Sequence, residues 1–351
     1  MQKKSLFDIS WKVTEEEYRK DKALSYSTLA RYDREGFNNL DKLFDKIETP
    51  SLTFGSCVDS LTTGGEEEFY SRFIVAEYPS IPDSIITIVK ELFQWCHTTN
   101  NTLNSIKDDF TINIASKYNY QNNWKPETRA KVIKEKGEEY YKLLYVAGDR
   151  TLIDTQTYQD VLKAVDALKS SEATKWYFAP NNPFENIERF YQLKFKACLE
   201  GIEYRCMFDE LIVDYENKVI YLIDLKTSCK LSDREWDFHK HYIEWNYQIQ
   251  NRLYVRILQD VLSKDEYFKD FKLKDYRDII IFRGSDTPLV WEIPFTFARG
   301  TLYLGKNNQI IFKDPYDIGK ELYYYLNNSV KVPKGINLNE TNDIRTWINT
   351  L

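Results

Sequence analysis

The chain has 351 residues, of which 42% are hydrophobic and 29% are charged, a balance typical of a globular protein and not of a disordered one. Its length suits one large core, or one core with a smaller inserted one. The 54 acidic residues exceed the 48 basic ones, for a net charge of −6 at pH 7. This net charge argues against a nucleic-acid binder that is strongly basic as a whole, so any contact with nucleic acid must be local.

Two absences in the sequence narrow the class of protein further. No run approaches the roughly 18 apolar residues that a membrane-spanning helix needs, and no apolar stretch follows the basic residues near the N-terminus. The five cysteines form no C-x-x-C pair, which argues against a zinc ribbon, an iron-sulfur cluster or a disulfide framework. We therefore expect a cytoplasmic protein with no membrane partner and no iron-sulfur cluster.

The first predicted elements are two short helices. In residues 24–34, Ser25 and Ser27 precede apolar positions at helical spacing and are candidate N-caps. A second helix is predicted over 52–62. From 63 to 180 the pattern is helical and carries no motif with recognisable chemistry, so we interpret this stretch as a helical insertion or subdomain.

The pattern changes in the last part of the chain. Residues 194–228 alternate apolar and polar side chains around a turn at 214–217, which predicts a β-hairpin or meander. An apolar stripe at helical spacing predicts one long helix over 234–263. Two strands and a final helix follow at 276–284, 288–295 and 317–328. The order predicts an α/β fold with a mixed central sheet flanked by helices. The predicted division is N-terminal helices (1–62), helical insertion (63–180) and sheet-bearing core with a C-terminal helix (181–351).

Three residues of the predicted meander form a chemical pattern. Asp209 and Asp224 fall near the ends of adjacent antiparallel strands, so both carboxylates can face the same side. Mg²⁺ is usually held by one or two carboxylates with water and phosphate oxygens, and the Leu225 carbonyl can add another oxygen. Lys226 shares a face with Asp224, where its ammonium can reach a phosphate or an attacking water. Taken alone, an Asp-x-Lys triplet on a strand is common.

The helix that follows adds a polar side. Tyr247, Gln250 and Tyr254 fall at i, i+3 and i+7 and therefore lie along one face. The two tyrosines alone are explained as core residues, but a Gln between them is a poor core residue. This face is therefore a candidate functional surface.

These residues resemble, in their order, the motifs of a known enzyme superfamily. Asp209, Asp224-x-Lys226 and Gln250-x-x-x-Tyr254 are similar to the PD-(D/E)XK nucleases, specifically the RecB-like branch, which includes phage recombination exonucleases. The resemblance implies a restriction-endonuclease-like core. It also implies that the two acidic residues bind metal, that the Lys orients or activates the attacking water, and that the helical Gln and Tyr position DNA and the active site.

The family's N-terminal motifs are matched only in part. Residues 25–29 have the family's S-x-S-x-L form, and 55–59 have the form G-x-x-x-D where the family has G-x-x-x-H. Asp59 thus replaces a metal-binding His. A carboxylate can also ligate Mg²⁺; the alternative is that Asp59 is only a polar residue on a helix face. We assign the predicted DNA contacts to Ser25, Ser27, Tyr247, Gln250 and Tyr254.

DNA binding by an acidic protein needs local positive charge. The candidates are Lys226, Lys230, Arg252 and Arg256, together with the basic stretch 125–136. The alternative for the basic stretch is a solvated helix face.

Two functions from different classes account for these features. The first is a Mg²⁺- or Mn²⁺-dependent nuclease acting on double-stranded DNA or DNA with single-stranded ends, an exonuclease in phage recombination, replication or repair. Its expected partner is a phage recombination or single-strand-binding protein, and its expected location is the host cytoplasm. The second is a catalytically inactive DNA-binding or interaction protein on a nuclease fold. The lack of a G-x-S-x-G elbow and of G-x-x-x-x-G-K-[ST] excludes the corresponding hydrolases and ATPases.

Overall fold

The computed structural model describes residues 3–36, 40, 42–45, 47, 49–78, 80–228, 235–293, 301–304 and 310–327. They form a mixed α/β fold in which a central mixed sheet is flanked by helices, as the sequence predicts. The chain divides into two compact units, Met1–Asp59 with Ala164–Leu351, and Ser60–Lys163. The insertion predicted over 63–180 therefore has a counterpart that ends at residue 163, and the residues after it belong to the sheet-bearing unit.

Three helices come first in the chain. They are α1 (Glu15–Lys20), α2 (Tyr26–Glu35) and α3 (Pro50–Asp59), and a 3-10 turn at Leu6–Ile9 precedes them. Ser25 is the N-cap residue of α2, as predicted, but its hydroxyl caps no backbone N–H. It lies instead 3.0 Å from the Ser27 hydroxyl and 3.1 Å from the Thr28 hydroxyl. Ser27 lies inside the helix, so its prediction as an N-cap is wrong.

The unit Ser60–Lys163 is helical and has its own hydrophobic core. It contains a π-helical turn (Ser60–Gly64), α4 (Gly65–Arg72), α5 (Asp83–Cys96), a 3-10 turn (Leu103–Ser105), α6 (Asp108–Lys117), α7 (Pro126–Ala147) and the start of α8 (Thr155–Ser170). Two short strands, β1 (Phe73–Val75) and β2 (Thr151–Ile153), pair in parallel. In α5, Ile85, Ile88 and Leu92 recur at helical spacing and are fully buried.

The central sheet belongs to the other unit. Its strands are β3 (Ile187–Leu199), β4 (Ile202–Asp214), β5 (Val219–Ser228), β6 (Lys272–Leu273), β7 (Tyr276–Phe282) and β8 (Leu289–Ile293). The order is β3-β4-β5-β7-β8, and β6 also pairs with β5. Pairing is antiparallel in the predicted meander β3-β4-β5 and between β7 and β8, but parallel between β5 and β7. A parallel pair needs a long crossover, which here carries α9 (Glu235–Glu244) and α10 (Tyr247–Ser263).

The prediction of one helix over 234–263 is wrong, because α9 and α10 are separate helices. Asn246, between them, has φ +55°, which lies in the left-handed region and cannot continue a right-handed helix. Asn tolerates this region better than most residues, and Asn246 Nδ2 donates to Asp33 Oδ2 of α2 at 3.0 Å. The apolar stripe continues beyond the break, so periodicity alone does not reveal it.

The main core lies between the sheet and helices on one of its faces. Leu29 of α2, Phe208 of β4 and Leu253 of α10 belong to this core and are fully buried. Burying a side chain of this kind contributes roughly 1.5–3 kcal/mol. The packing therefore fixes α10, the helix that carries Gln250, against the sheet.

The C-terminal part contains a hairpin that the sequence analysis did not predict. β9 (Thr301–Leu304) pairs antiparallel with β10 (Ile310–Lys313) in a separate two-stranded sheet. Strands of four residues are at the short end of the usual range and show little alternation. The predicted final helix is present as α11 (Pro315–Asn327). Within the described residues, none of the helices combines the length and the apolar composition that a membrane span requires.

Candidate active site

The β4–β5 hairpin brings Asp209 and Asp224 together. The last paired residues are Glu210 and Ile223, and the next step of the same register sets Asp209 opposite Asp224. Pairing stops there, and Asp209 Oδ2 accepts a hydrogen bond from the Leu225 N–H at 2.8 Å. Burial, and then the charge of Asp224, raises the pKa of Asp209 well above its usual value. The two carboxylates are thus close neighbours on one side of the sheet.

The pair lies within the strands and not near their ends, which corrects the expectation from the sequence. β4 continues past Asp209 to Asp214, and β5 continues past Asp224 to Ser228. β5 can continue because β7 remains hydrogen-bonded to it over this stretch. As a result Asp224 is almost fully buried, with 2% of its surface exposed.

Lys226 is held by Asp224 and by Gln250 of α10. Its Nζ lies 2.5 Å from Asp224 Oδ2 and donates to Gln250 Oε1 at 2.7 Å. The Gln250 amide donates in turn to Asp224 Oδ1. The ammonium also lies 4.0 Å from the centroid of the Tyr247 ring, a cation-π contact. The polar face of the predicted helix therefore meets the strand residues directly.

The charge of Lys226 follows from these neighbours. Burial acts to lower the pKa of an ammonium, but Asp224 first, and then Tyr247 and Asp278, act in the opposite direction. Together they raise the pKa of Lys226 well above its usual value. Lys226 is therefore protonated at neutral pH, so it can donate hydrogen bonds and stabilise negative charge but cannot accept a proton.

Asp278 is a further carboxylic acid beside the pair, and the sequence analysis missed it. It is in parallel register with Asp224 and is fully buried. Burial raises the pKa of Asp278 to about 8, although Lys226 lowers it and Asp224 adds to the rise. Within the described part of the chain, neither carboxyl oxygen of Asp278 accepts a well-aligned hydrogen bond. The nearby Asn251 side chain lowers the pKa of Asp278 slightly against this rise, although it is not aligned as a donor. The available signal was an Asp that directly precedes the apolar run 279–282.

Asp59 reaches the same group of acids from α3. Its charge contributes to the raised pKa of Asp209, after burial and Asp224. Both of its carboxylate oxygens accept from Gln192 Nε2 of β3, at 3.0 Å each. Across the described ranges, no three His, Cys, Asp or Glu side chains are already arranged as a metal cluster. The simplest ligand set is therefore the strand pair.

The residues present fit a hard divalent cation. Asp224 Oδ2 is buried, and Lys226, although 2.5 Å away, is not aligned with it as a hydrogen-bond donor. Such an oxygen retains the capacity to accept a cation. Burial, and then the charges of Asp224 and Asp59, raise the pKa of Asp209, and a cation bound to Asp209 would offset these negative charges. Mg²⁺ and Mn²⁺ accept carboxylate oxygens with water in the remaining positions.

The other predicted site residues have mixed surroundings. Tyr254 is buried, and its ring packs edge-on against Phe208 at a centroid distance of 5.2 Å. The structure thus gives Tyr254 a packing role. Ser25 is buried and Ser27 is exposed at the start of α2. The catalytic role of Tyr254, the DNA contacts and the Leu225 carbonyl as a metal ligand stay predictions.

Several of the predicted basic residues are engaged within the protein. Arg252 lies 2.7 Å from a carboxylate oxygen of Asp314. Lys134, from the basic stretch, is largely buried, and its Nζ lies 2.5 Å from Asp108 Oδ1. This contact favours a structural role for that residue. Arg256 is exposed on α10, and Lys230 lies outside the described residues.

Comparison with known proteins adds a distant structural similarity. No protein-family model and no curated protein matches the chain. A crystal structure of a "Putative exonuclease" from Eubacterium rectale is similar over 91% of this chain and 84% of that chain, with 14% sequence identity and a TM-score of 0.40. A likeness this loose carries no inference about this chain, so the side-chain geometry must support any functional assignment.

Proposed function

We propose that this protein is a divalent-metal-dependent nuclease that hydrolyses phosphodiester bonds in DNA. The observation that carries the proposal is the convergence of Asp209 and Asp224 beside Lys226, with Gln250 bonded to both Asp224 and Lys226. Phosphodiester hydrolysis builds negative charge on the phosphate, and a bound cation next to a fixed ammonium stabilises that charge. The site supplies both positions.

The carboxylates are the proposed metal ligands. Asp209 and Asp224 would hold Mg²⁺ or Mn²⁺, with Asp59 and the Leu225 carbonyl as additional oxygens. A metal bound there lowers the pKa of a coordinated water and neutralises charge on the phosphate.

Lys226 and Gln250 have separate proposed roles. Because its pKa is raised, Lys226 stays charged and donates hydrogen bonds to a phosphate oxygen or to the attacking water. Gln250 hydrogen-bonds to Asp224 and Lys226 at once, so it orients both side chains. Tyr247 covers one side of the ammonium.

The finer assignment follows the motif resemblance. We propose an exonuclease that acts on double-stranded DNA or on DNA with single-stranded ends in phage recombination, replication or repair, with a single-strand-binding or recombination protein as partner. Comparing linear with covalently closed circular DNA tests the mode of attack. An exonuclease degrades the linear form and spares the circle, whereas cleavage of both at similar rates would show an endonuclease.

The nuclease proposal is tested with Asp224→Asn, which keeps the side-chain shape and removes one charge. We expect the wild type to degrade end-labelled DNA with Mg²⁺ or Mn²⁺ and to stop on addition of EDTA. Asp224→Asn should lose cleavage while keeping its circular dichroism spectrum. DNA binding without metal-dependent cleavage by the wild type would instead support the catalytically inactive DNA-binding protein.

A further inference from the structure

The ladder between β3 and β4 is interrupted at a single step, beside the proposed metal site. The neighbours of Gln192 on β3 pair with the neighbours of Asp209 on β4, but Gln192 and Asp209 face each other without pairing. Gln192 has φ +54°, in the left-handed region that a residue with a Cβ adopts only when its surroundings impose it. A backbone held in this way inside a long strand points to a function for the side chain.

The side chain of Gln192 makes one specific contact. Its amide Nε2 donates to both carboxylate oxygens of Asp59, at 3.0 Å each, and an amide nitrogen has the two hydrogens that this requires. One helical turn before Asp59, Gly55 approaches β5 so closely that a Cβ there would lie 2.7 Å from Thr227 Oγ1. The end of α3 is therefore held by β3 at Asp59 and by β5 at Gly55.

Gln192 also begins a polar row across the sheet. The registers of the neighbouring strand pairs align Gln192, Asp209, Asp224 and Asp278 on four strands. Three members of the row are acids, and the fourth, Gln192, holds the carboxylate of Asp59. Carboxylates that lie close together repel each other, so a donor is needed to keep Asp59 beside this row.

We propose that Gln192 is a positioning residue that orients Asp59 beside Asp209 so that both can bind one divalent cation; this inference rests on the proposed nuclease function. A Glu at this position would repel Asp59, and a Lys would compete with the cation. The neutral amide does neither. Residues that orient a metal ligand typically change metal affinity by about 10–100-fold when removed.

The decisive variant is Gln192→Gly, because Gly adopts a positive φ without strain and removes the whole Gln side chain with its amide. Lys218→Gly is the matched control, since Lys218 has φ +52° and is exposed in the β4–β5 turn. Gln192→Met keeps the length and the strain but has no donor. Mn²⁺ affinity is measured by calorimetry and by electron paramagnetic resonance, alongside thermal unfolding in EDTA.

We expect Gln192→Gly and Gln192→Met to bind Mn²⁺ about 10-fold more weakly or worse. Gln192→Gly and Lys218→Gly should unfold at or above the wild-type temperature, and Lys218→Gly should bind Mn²⁺ normally. In an Asp59→Asn background, Gln192→Gly should cause no further loss. Wild-type Mn²⁺ affinity in both folded Gln192 variants would overturn the assignment. If Asp224→Asn also binds Mn²⁺ and cleaves DNA normally, the nuclease site itself is wrong; if only the Gln192 variants are normal, Gln192 alone is misassigned.

Discussion

At the scale of single residues, the site is defined by an imbalance of charge. Asp209, Asp224 and Asp278 lie around one ammonium, that of Lys226. Burial raises the pKa of Asp209 and of Asp278, so these two acids keep their protons to a higher pH than solvent-exposed acids do. A divalent cation is the species that offsets such an excess without a conformational change.

Lys226 should be needed for the cleavage step more than for DNA binding. Lys226→Ala removes the fixed positive charge next to Asp224, and the loss of one such stabilising group typically costs about 10²–10³-fold in rate. Single-turnover cleavage at saturating Mg²⁺ measures the effect. The control is Lys264→Ala, which removes an exposed ammonium at the end of α10. A rate within a factor of a few of the wild type would contradict the proposed role of Lys226.

Asp278 should make stability depend on pH. In the unfolded chain its carboxyl ionises near 3.8, whereas in the folded, metal-free protein the pKa is about 8. Between these values the folded state binds more protons, so this contribution to stability is complete below about pH 4 and is lost as pH rises to about 8, at up to about 1.4 kcal/mol per pH unit. Urea unfolding in EDTA should show a flatter pH dependence for Asp278→Asn. Parallel curves for variant and wild type would contradict it.

At the scale of elements, the position of α3 decides whether Asp59 can join the site. Gly55 lets α3 lie close against β5, because an added Cβ would meet Thr227 Oγ1 at 2.7 Å. The helix carries Asp59 one turn later, so a shift of α3 at Gly55 also moves the carboxylate.

Gly55→Ala should therefore destabilise the protein by about 1–3 kcal/mol, the usual range for overpacking. Thr227→Ala removes the hydroxyl that the new methyl group would meet, so the double variant should recover much of the loss. Urea unfolding of the four proteins in a double-mutant cycle gives the coupling energy. Additive effects of the two substitutions would show that the contact between α3 and β5 is not tight.

Sequence patterns predicted the helices and strands better than they predicted where a helix is interrupted or which strands pair. Asp224 and Lys226 could be placed together because residues two apart on a strand share a face. Asn246 could not be identified as the break between α9 and α10, since the apolar stripe continues beyond it. Asp278 and Gln192 join the site only through strand pairing across the sheet, and β7 reaches β5 after a long crossover. The register between strands that are distant in the sequence cannot be predicted from local periodicity.

At the scale of the whole molecule, the chain consists of two compact units with separate cores. The core of Ser60–Lys163 is built from its own residues, among them Ile88, Leu92 and Tyr141. The parallel pairing of β1 with β2 brings together segments near its two ends. A unit closed in this way has the features of an independently folding domain.

Residues 60–163 expressed alone should therefore fold. We expect a helical circular dichroism spectrum and one cooperative thermal transition, which Leu92→Ala should lower because it leaves a cavity in the core. The matched control is Trp95→Ala on the same helix, where the side chain is 68% exposed. A non-cooperative, coil-like fragment would show that the core of this unit depends on the rest of the chain.

Under the proposed function, acids from neighbouring strands bind a divalent cation beside Lys226. Anomalous diffraction from crystals soaked in Mn²⁺ tests it most directly. We predict a peak within coordinating distance of both Asp209 and Asp224, and its loss in Asp224→Asn crystals. Fully soaked wild-type crystals with no peak at these two carboxylates, or with the peak retained in Asp224→Asn, would contradict the account.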